Sequence, residues 1–235
     1  MSEIYKLDNY HDNSPAYFYG LTNCYISNII KRNEIWEPHL HRVFEKYVNK
    51  DSVVIECGCH IGTHTIKLAK MCNKIYGFEP MPDTNKILNQ NIKLNNINNA
   101  FISRLGVSSE PGKTKFLWSQ DGNPGASGLD NNPIGKPAWL ESCKETIEVF
   151  LTTIDILRLD KLDFMKIDVE GYEQLVIQGA MTTINKCKPV MVIEVWSNHN
   201  GGVDINYTKN MFKHLLDIGY RIEHIGGPDF LFLPS

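Results

Sequence analysis

Short apolar runs alternate with amphipathic stretches along most of this chain, and the alternation predicts an α/β fold. Val53 to Cys57 is an apolar run interrupted only by Glu56, the pattern of a strand buried on both faces. It enters a glycine turn, Gly58 to Gly62, after which Thr63 to Met71 carries Ile66, Leu68, Ala69 and Met71 at helical spacing. Lys74 to Phe78 reads as a second strand ending on Glu79-Pro80. Upstream, Glu37 to Val48 places Leu40, Val43, Phe44 and Tyr47 on one helical face, to pack against the sheet. A helix is expected from Asp83, its N-cap, to about Asn95, followed by a third strand at Ala100 to Arg104.

Beyond it, Gly106 to Trp118 and Thr146 to Phe150 read as β segments. The stretch between them, Gln120 to Pro137, is rich in Gly, Pro, Asn and Ser and is expected to be a lid or acceptor-binding loop. The strand Leu162 to Asp168, a helix at Glu173 to Gly179, the strand Pro189 to Val195 and a helix from Tyr207 to Ile218 follow. Closing strands at Tyr220 to His224 and Phe230 to Leu233 complete the sheet.

Acids recur where these strands end. In an open α/β sheet ligands bind at the carboxyl ends of the strands, so Glu79, Asp168 and Glu194 fall on the functional edge. Strand, glycine turn, helix, strand and acid make a nucleotide-binding half of the Rossmann kind, with 21 residues from Gly58 to Glu79. The turn is Gly58-x-x-x-Gly62 and lacks the G-x-G-x-x-G of dinucleotide enzymes, which disfavours a nicotinamide oxidoreductase. A looser turn preceded by an acid suits a cationic ligand with an amino-acid tail, such as S-adenosyl-L-methionine. Glu56 would take the ammonium or a water, the Gly58 to Gly62 backbone the methionine part, and Glu79 the ribose.

Two runs resemble a known family. Val53 to Ile66 is similar to the apolar strand and Asp-x-Gly-Ala-Asn-Ile-Gly turn of FkbM-type methyltransferases, and Lys166 to Glu173 to their Lys-Ile-Asp-Val-Glu-Gly-x-Glu signature. Gly77 to Pro80, Leu151 to Asp155, Pro189 to Glu194 and Trp36-Glu37-Pro38 resemble further landmarks in the same order. Glu56 stands where the family has Asp, and Cys59-His60 where it has Ala-Asn. The resemblance implies a single Rossmann-like class I methyltransferase domain, residues 36–235, after an N-terminal extension, residues 1–35. Its sheet is expected to be mostly parallel and twisted, with helices on both faces and an antiparallel C-terminal strand. It implies transfer of a methyl group to a hydroxyl of a sugar in a glycan or nucleotide-sugar. Cofactor contacts are expected from Glu37, Glu56, Gly58, Cys59, His60 and Gly62, and from Thr63, His64, Glu79, Pro80, Ser108 and Asp168.

An alcohol is a poor nucleophile while protonated, so the acceptor needs a base or a divalent cation that lowers its pKa. Asp168 and Glu194 end adjacent strands beside the expected methyl group, and Glu170, Asn198 and His199 lie close by in sequence. Asp168, Glu170, Glu194 and His199 are the catalytic candidates. Asp168, Glu194 and Asn198 are the candidate ligands of Mg²⁺ or another divalent cation. Several of these have plainer readings. Glu173 favours the positive end of a helix, His64 a helix face, Ser127 turn chemistry, and Glu37 stands evenly between cofactor contact and helix start. Tyr17-Phe18-Tyr19 suits stacking on a sugar, anchoring of the extension, or a homodimer contact.

Composition narrows the partners. The 235 residues, 42% hydrophobic and 22% charged, can bury one α/β core. A net charge of −3 offers no broad basic surface, which disfavours nucleic acid, although Lys113, Lys115, Lys136 and Lys144 flank the long loop and keep an RNA hydroxyl as an alternative. A catalytically silent cofactor-binding protein is the other alternative. Met1 to Tyr19 is polar throughout and no run reaches membrane length, so a soluble, cytoplasmic protein is expected. The six cysteines lack C-x-x-C pairing and read as reduced thiols filling small spaces. The asparagine-rich run Asn85 to Asn99 reads as coding bias without functional content.

Overall fold

The runs that begin at Val53 and Phe164 lie side by side in the middle of a seven-stranded sheet, and every residue of the second is buried. The structure is a computed structural model and describes residues 3–118, 128–129, 145–197 and 202–235. In chain order the strands are β1 (Ile4–His11), β2 (Ser14–Tyr19), β3 (Val53–Cys57), β4 (Lys74–Phe78), β5 (Ala100–Ser103), β6 (Gly106–Val107) and β7 (Gly112–Trp118). They continue as β8 (Gly128–Leu129), β9 (Glu145–Thr152), β10 (Phe164–Ile167), β11 (Val190–Glu194), β12 (Tyr220–Gly226) and β13 (Asp229–Pro234). The first four helices are α1 (Tyr25–Lys31), α2 (Pro38–Tyr47), α3 (Thr63–Met71) and α4 (Pro82–Leu94).

The large sheet has the order β12-β13-β11-β10-β3-β4-β5. Its pairs are parallel except those of β13, which runs antiparallel to both neighbours. Because side chains alternate across a strand, Val54, Phe164 and Val192 face Leu40 and Phe44 of α2 and Leu68 of α3. Ile55, Met165 and Ile193 face the opposite layer, where Val176 and Ile177 of the helix Glu173–Gln178 and Ile184 of the helix Met181–Cys187 pack. Both faces are covered, which is why these strands read as apolar runs interrupted only by Glu56 in β3 and Lys166 in β10. No helix among the described residues is long and apolar enough to cross a membrane.

The structure departs from the sequence expectations in several places. The β segments after β5 do not join the large sheet; β6, β9, β7 and β8 form a separate four-stranded sheet in that order. Apart from the short strand β8, the stretch 120–137 lies outside the described residues, and Ser127 with it. Asp83 does not cap α4, because Pro82 occupies the first helical turn and moves the cap to Met81. The helix expected from Tyr207 to Ile218 is broken into Ile205–Met211 and Lys213–Asp217, and Met181–Cys187 is a helix that the sequence reading did not contain.

The first residues form a hairpin, β1 against β2, rather than a featureless extension. Its inner face puts Leu7, Tyr10, Ala16 and Phe18 in one cluster with Ile61 and Ile66, so it packs directly behind the glycine turn. Phe18 is fully buried, which excludes it from any stacking surface. Asn91 of α4 and Asn95 at its C-terminal cap act as strand partners for β2. Asn91 Oδ1 accepts from Tyr19 N at 2.6 Å, while its Nδ2 donates to Tyr19 O at 3.0 Å and to Ile61 O at 2.9 Å. Asn95 repeats the pairing on both backbone groups of Tyr17. The asparagine run is therefore structural, not mere coding bias. Asn91→Ala should remove the side-chain partner of the buried Ile61 carbonyl and of the two part-buried backbone groups of Tyr19 and cost about 2–4 kcal/mol, read as a lower urea midpoint. An unchanged midpoint would remove this tether from the account.

Candidate active site

The glycine turn is built around left-handed backbone. Gly58 has φ +84° and Gly62 φ +92°, and His60 between them has φ 48°, a conformation a side chain adopts at some cost. At Gly58 a Cβ would stand 1.7 Å from the carbonyl oxygen of Asp168, so only glycine lets the turn pass this close to the end of β10. The N–H groups of Gly58 and Cys59 donate to Phe78 O at 2.9 and 3.2 Å. Glu79 then closes the arrangement: its Oε2 accepts from His60 N at 2.8 Å and its Oε1 from Met81 N at 3.0 Å. Burial pushes the Glu79 carboxyl up to about 7 against these bonds.

The register of the central strands gathers the charges. Lys166 stands beside Glu56, and Ile167 beside Cys57, so the β10 ammonium and the β3 carboxyl share the face covered by α2 and α3. Lys166 is 2% exposed and its Nζ lies 2.9 Å from Asp168 Oδ2. An ammonium so buried requires counter-charge. It has three neighbouring acids, Asp168, Glu37 and Glu56, and they hold its pKa above the usual lysine value against burial. Glu56 accepts from Thr65 Oγ1 at 2.6 Å; burial raises it to about 7, although Lys166 pulls the other way. Glu56 is thus committed to the floor of the turn.

Asp168 begins just past β10, its N donating to Cys57 O at 3.0 Å, and its side chain remains 31% exposed. One oxygen of each of Asp168, Glu170 and Glu194 comes within 4.8 Å of the others, forming a half-buried carboxylate triad at the ends of β10 and β11. Burial would raise Asp168, but the Lys166 ammonium and the bond to Glu194 hold it below the ordinary aspartate value. Glu194 and Glu170 are driven well above theirs, by burial first and then by the charge of Asp168. The arrangement sets one carboxyl held low beside two driven high.

The turn that presents Glu170 is strained, with φ 54° there and φ 102° at Gly171. Glu173 holds it, Oε1 accepting from Gly171 N at 2.9 Å and Val169 N at 3.2 Å. Its role is to shape this turn as well as to begin a helix. Glu37 is the residue before α2 but makes no side-chain cap; its Oε2 lies 2.8 Å from His64 Nε2. Burial would raise Glu37, and the bond to His64 with the Lys166 charge keeps it below the usual glutamate range. His64 is accordingly inside the site, 4% exposed, and the Nδ1 atoms of both His60 and His64 are buried without hydrogen-bond partners.

Other expected residues have backbone or packing roles. Cys59 is buried with its thiol 3.5 Å from Glu56 O, and Thr63 O accepts from Tyr10 Oη. The cysteines among the described residues are free thiols. Pro80 is half-buried beside Gly106, and Ser108 gives its N–H to Thr152 O while its carbonyl packs on Gly179. Asn198 and His199 lie outside the described residues. The sequence reading gave no role to Lys166, Thr65 or Asp229. Asp229, opposite Glu194 in register and 2.7 Å from His39 Nε2, adds a further acid that burial raises to about 6. A lysine inside an otherwise apolar strand was the signal for the first, since it must find carboxylates.

Residues 56–222 match the Methyltransferase FkbM domain. The chain belongs to this family. It is 25% identical to Methyltransferase sdnD of Sordaria araneosa, with 69% of this chain matched to 73% of that one. It is 27% identical to Methyltransferase 1 of Beauveria bassiana (strain ARSEF 2860), with 55% matched to 58%, so it spans little more than half of that relative. Its fold is also that of the FkbM methyltransferase of Methylobacillus flagellatus KT, with a TM-score of 0.54 at 14% identity, over 88% of this chain and 52% of the other. The matched span contains the glycine turn, the acid after β4 and the acids after β10 and at the end of β11.

Proposed function

We propose that this FkbM protein is an S-adenosylmethionine-dependent O-methyltransferase whose acceptor is a hydroxyl, most naturally of a sugar in a glycan or nucleotide-sugar. The observation that carries the reading is the union of a glycine turn closed by Glu79 with a carboxylate triad at the neighbouring strand ends. The residues fit the cofactor: two buried imidazole nitrogens lack partners, Nδ1 of His60 in the turn and Nδ1 of His64 at the start of α3. Glu79 would hold the ribose, and Glu37 with His64 the amino-acid tail. When bound, S-adenosylmethionine supplies a methyl group on a positive sulfur, open to in-line attack.

The chain's own residues then have to orient the hydroxyl and take its proton. Asp168 is the base, because the Lys166 ammonium 2.9 Å away favours its ionised form, while burial and the charge of Asp168 favour the neutral forms of Glu170 and Glu194. The proton lost by the acceptor goes to Asp168, and the oxygen's electron pair becomes free to form the new bond. Glu194, already sharing a proton with Asp168, keeps the base oriented. A divalent cation is the finer part of the proposal: three hard oxygen donors suit Mg²⁺, which would take the place of the shared proton and polarise the acceptor. An RNA acceptor has less support, since Lys113 is paired with Glu148 at 2.8 Å.

Two measurements test this. Calorimetry on Glu79→Gln should show S-adenosylmethionine affinity weakened by about 1–3 kcal/mol in a folded protein; equal affinity would remove the ribose role. In EDTA turnover should fall and Mg²⁺ should restore it, whereas full turnover in EDTA would leave Asp168 to act as base without a metal.

A further inference from the structure

We infer that residues 4–37, which lie ahead of the span matched to the FkbM domain, complete the cofactor site: the N-terminal hairpin and the segment after it clasp the glycine turn, and the clasp opens only when the cofactor leaves. The inference rests on the cofactor reading above and adds to it the part of the chain that controls occupancy. His60, Ile61, Thr63, His64, Ile66 and Lys67 all find partners in this segment. Cys24 Sγ lies 3.9 Å from His60 Nε2, and Glu37 Oε2 lies 2.8 Å from His64 Nε2. Tyr10 is 2% exposed; its hydroxyl donates to Thr63 O, and its carbonyl accepts from Lys67 Nζ at 3.4 Å. Ile61 and Ile66 share one apolar cluster with Leu7, Ala16, Phe18 and Ile30.

The clasp is tied along its edges as well as on its inner face. A two-stranded sheet has two open edges, and here asparagine side chains hold both. Asn33, in the connection from α1 to α2, accepts from Asp8 N at 2.8 Å and donates to Asp8 Oδ2 at 3.0 Å. On the other edge Asn91 and Asn95 hold Tyr19 and Tyr17, and Asn91 also reaches Ile61 O in the turn. A hairpin alone is marginal in water, so β1 and β2 keep their shape by staying docked.

The turn has the converse need. His60 sits at φ 48°, and the rings of His60 and His64 each carry a buried Nδ1 without a partner. What orients these rings is the contact on their other nitrogens, and Cys24 and Glu37 both belong to the clasp. Undocking would free both rings and bring Ile61 and Ile66 into water. A ligand seated on the turn therefore binds the docked state more tightly, and by linkage the docked clasp raises its affinity by the same factor.

Amide hydrogen exchange on the full chain, with and without S-adenosylhomocysteine, tests this in the parent and in Leu7→Ala, which cuts into the inner face of the hairpin. In Leu7→Ala the amides of β1 and β2 should exchange ahead of those of β10. S-adenosylhomocysteine at about a hundred times its Kd should then slow them about a hundredfold, in step with the amides of His60 to Thr63. Calorimetry adds a matched pair of buried cysteines. Cys24→Ala should weaken S-adenosylhomocysteine at least about fivefold, and Cys72→Ala, in the cluster with Leu40 and Phe44 of α2, should leave its affinity unchanged. Hairpin exchange that ignores the ligand while the turn responds overturns the inference. So does hairpin exchange locked to that of β10 in Leu7→Ala, parental affinity in folded Cys24→Ala, or equal weakening in the two cysteine variants. A folded parent that does not bind S-adenosylhomocysteine would instead overturn the cofactor reading on which it rests.

Discussion

Asp168→Asn is expected to bind S-adenosylmethionine within a few-fold of the parent and to lose turnover by about three orders of magnitude or more. The amide keeps the shape of the carboxylate and can still accept from Lys166, so the strand end should stay in place. What it cannot do is take a proton or carry the charge that Lys166 stabilises at 2.9 Å. Single-turnover methyl transfer at saturating cofactor would isolate the chemical step. A working Asp168→Asn protein would move the base to another member of the triad. The adjacent lysine should behave differently: loss of its ammonium strips the triad of its buried counter-charge, which affects folding as well as chemistry.

The second large effect is expected at Gly58. Gly58→Ala puts a methyl group 1.7 Å from the Asp168 carbonyl oxygen at a φ of +84°, and the obstacle is backbone that cannot rotate away. Relief requires the turn and the end of β10 to separate, with a loss of about 4 kcal/mol or more and failure of cofactor binding. Gly112→Ala is the matched control, because nothing lies within 4 Å of its added Cβ. Thermal unfolding of the two variants should differ by about ten degrees or more if the turn is as closely packed as this, and parity between them would show that it is not.

The central α/β unit was legible in the sequence for a definite reason. Strands β3, β4 and β10 are buried from both sides, so hydrophobicity marks them without help from distant partners, and the helix after Gly62 follows from the turn that starts it. The acids Glu79, Asp168 and Glu194 were legible because each interrupts or ends an apolar run. The hairpin was not, since its outer face is polar and its backbone finds partners in the side chains of Asn91 and Asn95, more than seventy residues away. Pairing of β6 and β7 with β9 is similarly non-local, and nothing in the local pattern distinguishes a second sheet from an extension of the first.

Charge partners were the least visible layer. Glu37 was evenly balanced between helix start and cofactor contact, and only the fold brings His64 to 2.8 Å from it. Glu56 was read as a contact for the cofactor ammonium or a water, and the sequence showed neither its bond to Thr65 nor its place beside Lys166. Sequence spacing locates residues along one strand or helix, and these contacts cross between elements.

The most direct measurement is methyl transfer itself, followed with S-adenosylmethionine carrying a ¹³C-methyl group and a set of uncharged glycosides. On the proposed reading, S-adenosylhomocysteine and a sugar methyl ether form in equal amounts, and Asp168→Asn forms neither. A methyl group found on nitrogen, carbon or a carboxylate, or a folded protein that does not bind S-adenosylmethionine, would contradict it.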